Sequence, residues 1–203
     1  ILASLVGDQI SKKYPVISRE INVKQTKNFI NNLINKKIKK LIFVSTCSNY
    51  GIINENDLAD ENFKLNPQSI YASNKVEIEK YISSIKKKLK AEITILRFAT
   101  AFGISPRMRF DLTVNEFVRE MYMKNKLMVY DPYTWRPYCH VKDFSKILEL
   151  VLFKKIKRNN FEIFNAGSSK NNYTKNMVVN EIKKFFLNPK ITIKRNDVDP
   201  RNY

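Results

Sequence analysis

The chain has 203 residues, of which 43% are hydrophobic, enough for about one domain with a sizeable core. No apolar run is long enough to span a bilayer, and the two cysteines, Cys47 and Cys139, show neither metal-ligand spacing nor a disulfide pattern; no membrane, no metal and a reducing, cytoplasmic setting are therefore expected. The net charge of +18 raises nucleic acid as a partner, yet lysine is spread over solvated stretches such as Lys86-Lys87-Lys88 and no nucleic-acid motif accompanies it, so the charge reads as compositional bias.

In chain order, Ile21, Val23, Phe29, Ile30, Leu33 and Ile34 predict an amphipathic helix over 18–38, with Ser18 as its N-cap. Leu41 to Thr46 reads as a buried strand ending in a cluster of hydroxyls and a thiol, Ser45-Thr46-Cys47-Ser48. A polar loop over 52–68 comes next, closed by Pro67, which biases Asn66 away from helix. Ser69-Ile-Tyr-Ala-Ser-Asn-Lys75 then opens a helix that continues through Val76, Ile78, Ile82 and Ile85. Ile93 to Phe98 reads as a second buried strand. The segment 99–111 reads as irregular and carries Arg107 and Arg109. A helix over 112–123 precedes strands at 127–130 and 135–141. Asp143 is placed to cap a helix over 144–153. A strand over 161–165 ends at Ala166-Gly167, Thr174 caps a helix running to Leu187, and 191–194 forms a last strand. This alternation gives an α/β class with a mainly parallel sheet.

Tyr71 and Lys75 stand four residues apart and so share one helix face. An ammonium beside a phenol favours the phenolate, and a phenol tuned in this way can move a proton at neutral pH. The spacing alone is not selective, since Tyr122/Lys126 and Tyr138/Lys142 repeat it. What sets Tyr71 apart is the preceding strand, whose C-terminal end delivers Thr46 toward the start of the helix; open α/β sheets place their chemistry at such strand ends.

The ordered set Leu2-Ala3-Ser4, Asn22-Val23-x-x-Thr26, Phe43-Val44-Ser45-Thr46-x-x-x-Tyr50-Gly51, Pro67-x-Ser69-x-Tyr71-x-x-x-Lys75, Leu96-Arg97-Phe98 with Gly103, and Arg136-x-Tyr138-x-His140-Val141-x-Asp143 resembles the extended short-chain dehydrogenase/reductase superfamily of NAD-dependent nucleotide-sugar epimerases and dehydratases, the UDP-glucose 4-epimerase-like enzymes in particular. The resemblance implies a Rossmann-like fold with helices on both sheet faces. Residues 1–98 would be the C-terminal part of an NAD(P)-binding domain, and 99–203 a mixed, interleaved substrate-binding portion. No G-x-x-G-x-x-G turn occurs, so the expectation is a fragment lacking the first βαβαβ half and stopping short at its C-terminus.

By the same resemblance, Tyr71 is the acid/base, Lys75 lowers its pKa and holds the nicotinamide ribose, and Thr46 hydrogen-bonds the reacting oxygen. Leu2, Ala3, Ser4, Asn22 and Ala99, with Thr46, Tyr71 and Lys75, would contact the cofactor, NAD with NADP left open. Thr100, Leu112, Val129, Tyr130, Arg136, Tyr138 and Arg201, or Arg195 in its place, would contact a nucleotide-diphosphate sugar, with Arg107 and Arg109 near the sugar pocket. Cys47 and Ser48 occupy the positions where 4,6-dehydratases carry an acid pair, so an epimerase is expected ahead of a keto-sugar reductase or dehydratase, and ahead of a non-catalytic RNA-binding relative. A homodimer is expected through the helices of Asn22 and Tyr71, with Ile78, Ile82 and Ile85 supplying the apolar face. His140 reads as packing.

Overall fold

The computed structural model describes residues 1–54, 57–153 and 161–194. Its central layer is a parallel three-stranded sheet. Strand β1 (Lys40–Thr46) pairs with β2 (Glu92–Phe98), which pairs with β6 (Phe161–Ala166), in the order β1-β2-β6. Strand alternation sends Leu41 and Phe43, with Ile93 and Ile95, to one face, where they meet Val23, Ile30, Ile78 and Ile82. The opposite face carries Ile42, Leu96 and Phe98 against helix α6 (Val141–Phe153), with the Phe98 and Phe144 rings stacked at 4.0 Å. Helices thus cover both faces, as parallel strands require.

The strands β3 (Thr100–Phe102), β5 (Trp135–His140) and β7 (Asn172–Thr174) form a second sheet, and β4 (Lys126–Tyr130) pairs in parallel with β8 (Lys190–Lys194). Between them, α5 (Thr113–Lys124) and α7 (Lys175–Lys183) enclose a second core of Phe117, Met121, Leu127, Val129, Tyr138, Val178, Val179 and Ile182. Thr174 caps α7 by accepting from the Met177 N–H at 3.2 Å, as expected, but the helix ends at Lys183 rather than Leu187. The short strands β3 and β7 lie where the sequence shows no period.

Three expectations change. The helix expected from Ser18 begins earlier and is broken: α1 (Asp8–Lys13), α2 (Pro15–Arg19), a π-helical turn (Glu20–Gln25) and α3 (Thr26–Leu33). Pro15, favourable at a first helical turn, starts α2, so Ser18 is an interior, buried residue and not a cap. Asp143 is not the cap of α6 either; His140 Nδ1 accepts from the Lys142 N–H at 3.1 Å. Finally, Ile78 and Ile82 are 0% exposed, so they hold α4 (Ile70–Ile85) to the sheet and cannot supply a dimer face. Each contributes about 1.5–3 kcal/mol to that contact. No helix among the described residues is long and apolar enough to cross a membrane.

Candidate active site

Helix α4 starts sharply. Ser69 sits in extended backbone and its hydroxyl accepts from the Ala72 N–H at 3.1 Å, while donating to Asp8 Oδ1 at 2.6 Å. The first turn of α4, which carries Tyr71, is therefore tied to the N-terminal loop. The loop before it is held by a close approach: a Cβ on Gly51, at φ +75°, would lie 1.9 Å from the Asn66 carbonyl oxygen, so only glycine fits.

One turn into α4, Lys75 is 5% exposed. Its ammonium donates to the Val44 carbonyl at 2.9 Å and lies 4.9 Å from the Phe43 ring centre and 5.6 Å from that of Tyr71. Burial lowers its pKa to about 8, against a smaller opposing effect of the Glu79 carboxylate. Of three N–H donors, one is used within the described residues, which leaves two for a ligand. Thr46 ends β1, two residues beyond Lys75's acceptor. Its hydroxyl is engaged locally, accepting from the Ser48 N–H and donating to Ser48 Oγ, both at 3.2 Å.

The N-terminal segment lies along β1's open edge. The Ile1 amino group donates to the Ile42 carbonyl and the Ile1 carbonyl accepts from the Val44 N–H at 3.2 Å, the pattern of a parallel pair. Asn22 holds Ser4 and Leu5 in place: Oδ1 accepts from Ser4 Oγ at 2.9 Å and the Leu5 N–H at 2.7 Å, and Nδ2 donates to the Leu5 carbonyl at 2.9 Å. Ser18, made interior by the early helix start, accepts from Asn22 and Asn74 at 3.3 and 3.2 Å and so ties the π-helical turn to α4. Leu2 and Ala3 line an apolar trough of about 720 Å³ with Ile21, Phe29 and Val44. Thus Leu2, Ala3, Ser4, Asn22, Thr46, Tyr71 and Lys75 gather around the C-terminal end of β1.

The remaining positions disperse. Ala99 follows β2 and lines a different cavity of about 540 Å³ with Cys47, Tyr50, Trp135, Pro137 and Gly167. Trp135 and Pro137 alternate along β5 with Arg136 and Tyr138, so that cavity lies on the opposite strand face from the two expected substrate contacts. Thr100 is in register with Tyr138. Leu112 occupies the N-cap position of α5. Val129 packs in the second core, and Tyr130 is exposed, its hydroxyl 2.8 Å from Met128 Sδ. Arg195 and Arg201 lie outside the described residues.

Arg109 reaches the centre from the 99–111 segment. It pairs with Asp111 at 3.0 and 2.5 Å, and its pKa is raised chiefly by that carboxylate and to a small extent by the charge of Tyr71. Its guanidinium passes 3.2 Å from where Gly7 would carry a Cβ.

Sequence reasoning missed the layer beneath. Glu79 is 4% exposed and Arg97 3%, and the two pair at 2.7 Å. Glu79 also accepts from Ser45 Oγ and from Asn49 Nδ2 at 2.7 Å. Arg97 goes on to Tyr50 Oη at 2.9 Å and the Glu61 carbonyl at 3.0 Å, and Tyr50 donates to Asn165 Oδ1 at 2.7 Å. The available signal was an arginine inside the apolar run of β2, since a buried charge needs a partner. Burial pushes the Cys47 thiol up to about 12, so it is neither an acid nor a nucleophile at neutral pH.

The profile of the NAD dependent epimerase/dehydratase family matches residues 1–167. An uncharacterised protein of Schizosaccharomyces pombe is 27% identical over 93% of this chain and 60% of its own length. The UDP-glucuronate 4-epimerase of Thermodesulfobacterium geofontis is 24% identical over 88% of this chain and 53% of its own length. The chain therefore spans little more than half of these relatives. Among solved structures, the UDP-glucose 4-epimerase of Thermus thermophilus in complex with NAD has the same fold, with a TM-score of 0.82 at 22% identity over 98% of this chain and 66% of that one.

Proposed function

The chain belongs to the NAD-dependent epimerase/dehydratase family, and from that premise we propose that it works as a nucleotide-sugar epimerase through Tyr71, Lys75 and Thr46. The observation that carries the reading is Lys75: a buried ammonium, anchored on Val44 at the end of β1, with the Tyr71 ring beside it and two donors to spare. That donor set fits the hydroxyls of a nicotinamide ribose. NAD, when bound, supplies the hydride acceptor and donor. The chain's own residues handle the proton: the Tyr71 phenolate takes it from a sugar hydroxyl, the Lys75 ammonium favours the phenolate, and Thr46 turns its hydroxyl from Ser48 to the sugar oxygen. Arg136 on β5 is the proposed diphosphate contact, whereas Tyr138, 3% exposed in the second core, is packed away from it. With a thiol and a hydroxyl at 47 and 48, no acid pair succeeds Thr46 to eliminate water, which supports epimerase over dehydratase. Relatives and neighbours that act on UDP-sugars support the substrate class.

The same reading includes a homodimer through the outer faces of α2 and α4, where Val16 is 80% exposed. Sedimentation of the full-length protein at tens of micromolar should show a dimer that Val16→Glu weakens.

The decisive assay gives the full-length protein NAD with UDP-glucose or UDP-glucuronic acid and tracks the 4-epimer by proton NMR. Epimer should form with no net change in the reduced-nicotinamide absorbance band. Tyr71→Phe should lower turnover by about two to four orders of magnitude. Tyr122→Phe, an exposed tyrosine with the same spacing to a lysine, should leave it unchanged. Accumulation of reduced cofactor in step with an oxidised sugar product would make the enzyme a net oxidoreductase, whose reverse direction is the reductase, and full turnover in Tyr71→Phe would remove the proposed acid/base.

A further inference from the structure

The Glu79–Arg97 pair costs desolvation of two charges, and a well-packed apolar pair would hold the same helix to the same sheet at least as well. Its placement relative to Lys75 gives the pair another use. Glu79 is one turn beyond Lys75 on α4, so the two side chains leave the same helix face. Arg97 approaches from β2, on the far side of Glu79, with Nε and Nη2 on the carboxylate at 3.2 and 2.7 Å. The same carboxylate takes Ser45 Oγ and Asn49 Nδ2. Ser45 lies between Val44, whose carbonyl accepts from Lys75, and Thr46. One buried carboxylate therefore grips both the helix that carries Lys75 and the strand end on which its ammonium rests.

We propose that Glu79, clamped by Arg97, is the positioning residue of Lys75: it fixes the ammonium over the end of β1 and keeps it charged in a buried setting. The proposal deepens the epimerase reading, since the lysine serves that chemistry only as a cation.

The charges around Lys75 make Glu79 the compensating one. On α4 the neighbours are Tyr71 and Glu79. Strand β1 contributes the Phe43 ring and the Val44 carbonyl. From the 3₁₀ turn Cys47–Tyr50, the thiol faces the Arg97 carbonyl and the phenol faces Arg97 and Asn165. Arg19 and Lys27, from α2 and α3, are taken up by Glu77 on the outer face of α4 at 3.0 and 2.7 Å. Burial works against the ammonium, and Glu79 is the carboxylate that works for it.

The test titrates Lys75 directly in the cofactor-free, full-length protein, using 13Cε-lysine NMR with Lys75→Arg to assign the signal. Wild type should titrate near pH 8. Glu79→Gln should move the midpoint down by about one pH unit, and Glu79→Asp should restore most of it. Because Glu79→Gln strands the Arg97 charge, the double variant Glu79→Gln/Arg97→Gln provides the same readout in a neutral, hydrogen-bonded pair, and its midpoint should fall as well. A midpoint that stays at the wild-type value in either folded variant overturns the proposal. Catalysis enters separately: loss of turnover in Glu79→Gln at pH 8 with recovery at lower pH is expected only if the protein is the enzyme proposed. A shifted titration with no activity in wild type would sink the epimerase reading and leave the role of Glu79 standing.

Discussion

The two cores of this molecule are built on different principles. The face of the parallel sheet under α4 has an apolar half, made by Ile78, Ile82, Phe43 and Ile95, and a polar half at the strand ends, made by Glu79, Arg97, Ser45, Asn49 and Tyr50. The core between α5, α7 and β4 is built from aliphatic and aromatic side chains, the buried Tyr138 phenol among them, and holds no ion pair among the described residues. An apolar core tolerates rearrangement so long as volume is conserved, because dispersion and burial are non-directional. A hydrogen-bonded ion pair accepts one geometry and is costly when half-made. The polar half lies directly beneath Lys75 and Thr46, where a reaction needs fixed atoms, and the apolar core lies where only shape is required.

The largest way to break this contrast is to remove one partner in each region. Arg97→Met leaves the Glu79 carboxylate buried without its cation and Tyr50 and Glu61 without a donor, which should cost about 3–5 kcal/mol. Met121→Ala, in the second core, should cost about 2–5 kcal/mol by transfer and cavity terms. The two overlap in size but differ in response to acid. Denaturant midpoints at pH 7.5 and pH 5 should show the Arg97→Met penalty shrinking, because acid neutralises the stranded carboxylate, while the Met121→Ala penalty stays constant. Equal acid responses would mean that the Glu79–Arg97 pair acts as packing alone.

A smaller effect sharpens the same contrast through Lys75. Its pKa falls from 10.5 to about 8 on folding, so the unfolded chain binds the extra proton between these values and stability contributed through Lys75 rises with pH across that window. Below pH 8 the lysine is charged in both states and its desolvation penalty is fully present. Above about 10.5 it is neutral in both and the penalty is gone; the difference is on the order of 3 kcal/mol. Lys75→Met removes the titration, so its stability relative to wild type should fall as pH rises from 7.5 to 10. A pH-independent difference would place the ammonium in solvent and contradict its burial.

The sequence made the sheet, the Tyr71 helix and the Thr46 strand end legible because each rests on local periodicity or on a short ordered motif. The boundary of the first helix was not, because Pro15 and a π-helical turn interrupt the 3.6-residue period that 18–38 suggests. Strands β3 and β7, three residues each, take their conformation from pairing with β5 rather than from their own residues. The gathering of Leu2, Ala3 and Asn22 at β1 came from motif order, whereas Ala99 and Val129, taken from the same resemblance, stand in another cavity and in a core. The Glu79–Arg97 layer was legible only in part: Glu79 is four residues after Lys75, but its partner is 18 residues away on a neighbouring strand, and no local pattern joins them.

The smallest expected effect compares two helix caps, one from each region. Ser69 and Thr174 both accept from the N–H three residues on, at 3.1 and 3.2 Å, and either capping bond alone is worth about 1 kcal/mol. Thr174 does nothing else for the N-terminal loop, so Thr174→Ala should lower stability by about that amount and leave ligand binding unchanged. Ser69 in addition donates to Asp8 Oδ1 at 2.6 Å and so joins the first turn of α4, with Tyr71, to the loop that Asn22 orders. Ser69→Ala should cost more, by roughly another 0.5–1.5 kcal/mol for a charge-assisted bond that is partly buried. Hydrogen exchange of the 4–8 amides should rise in Ser69→Ala and not in Thr174→Ala, because only the first cap closes that loop on the helix. Equal costs and unchanged exchange would show that the Ser69–Asp8 bond does not order the loop, and would leave that ordering to contacts such as those of Asn22.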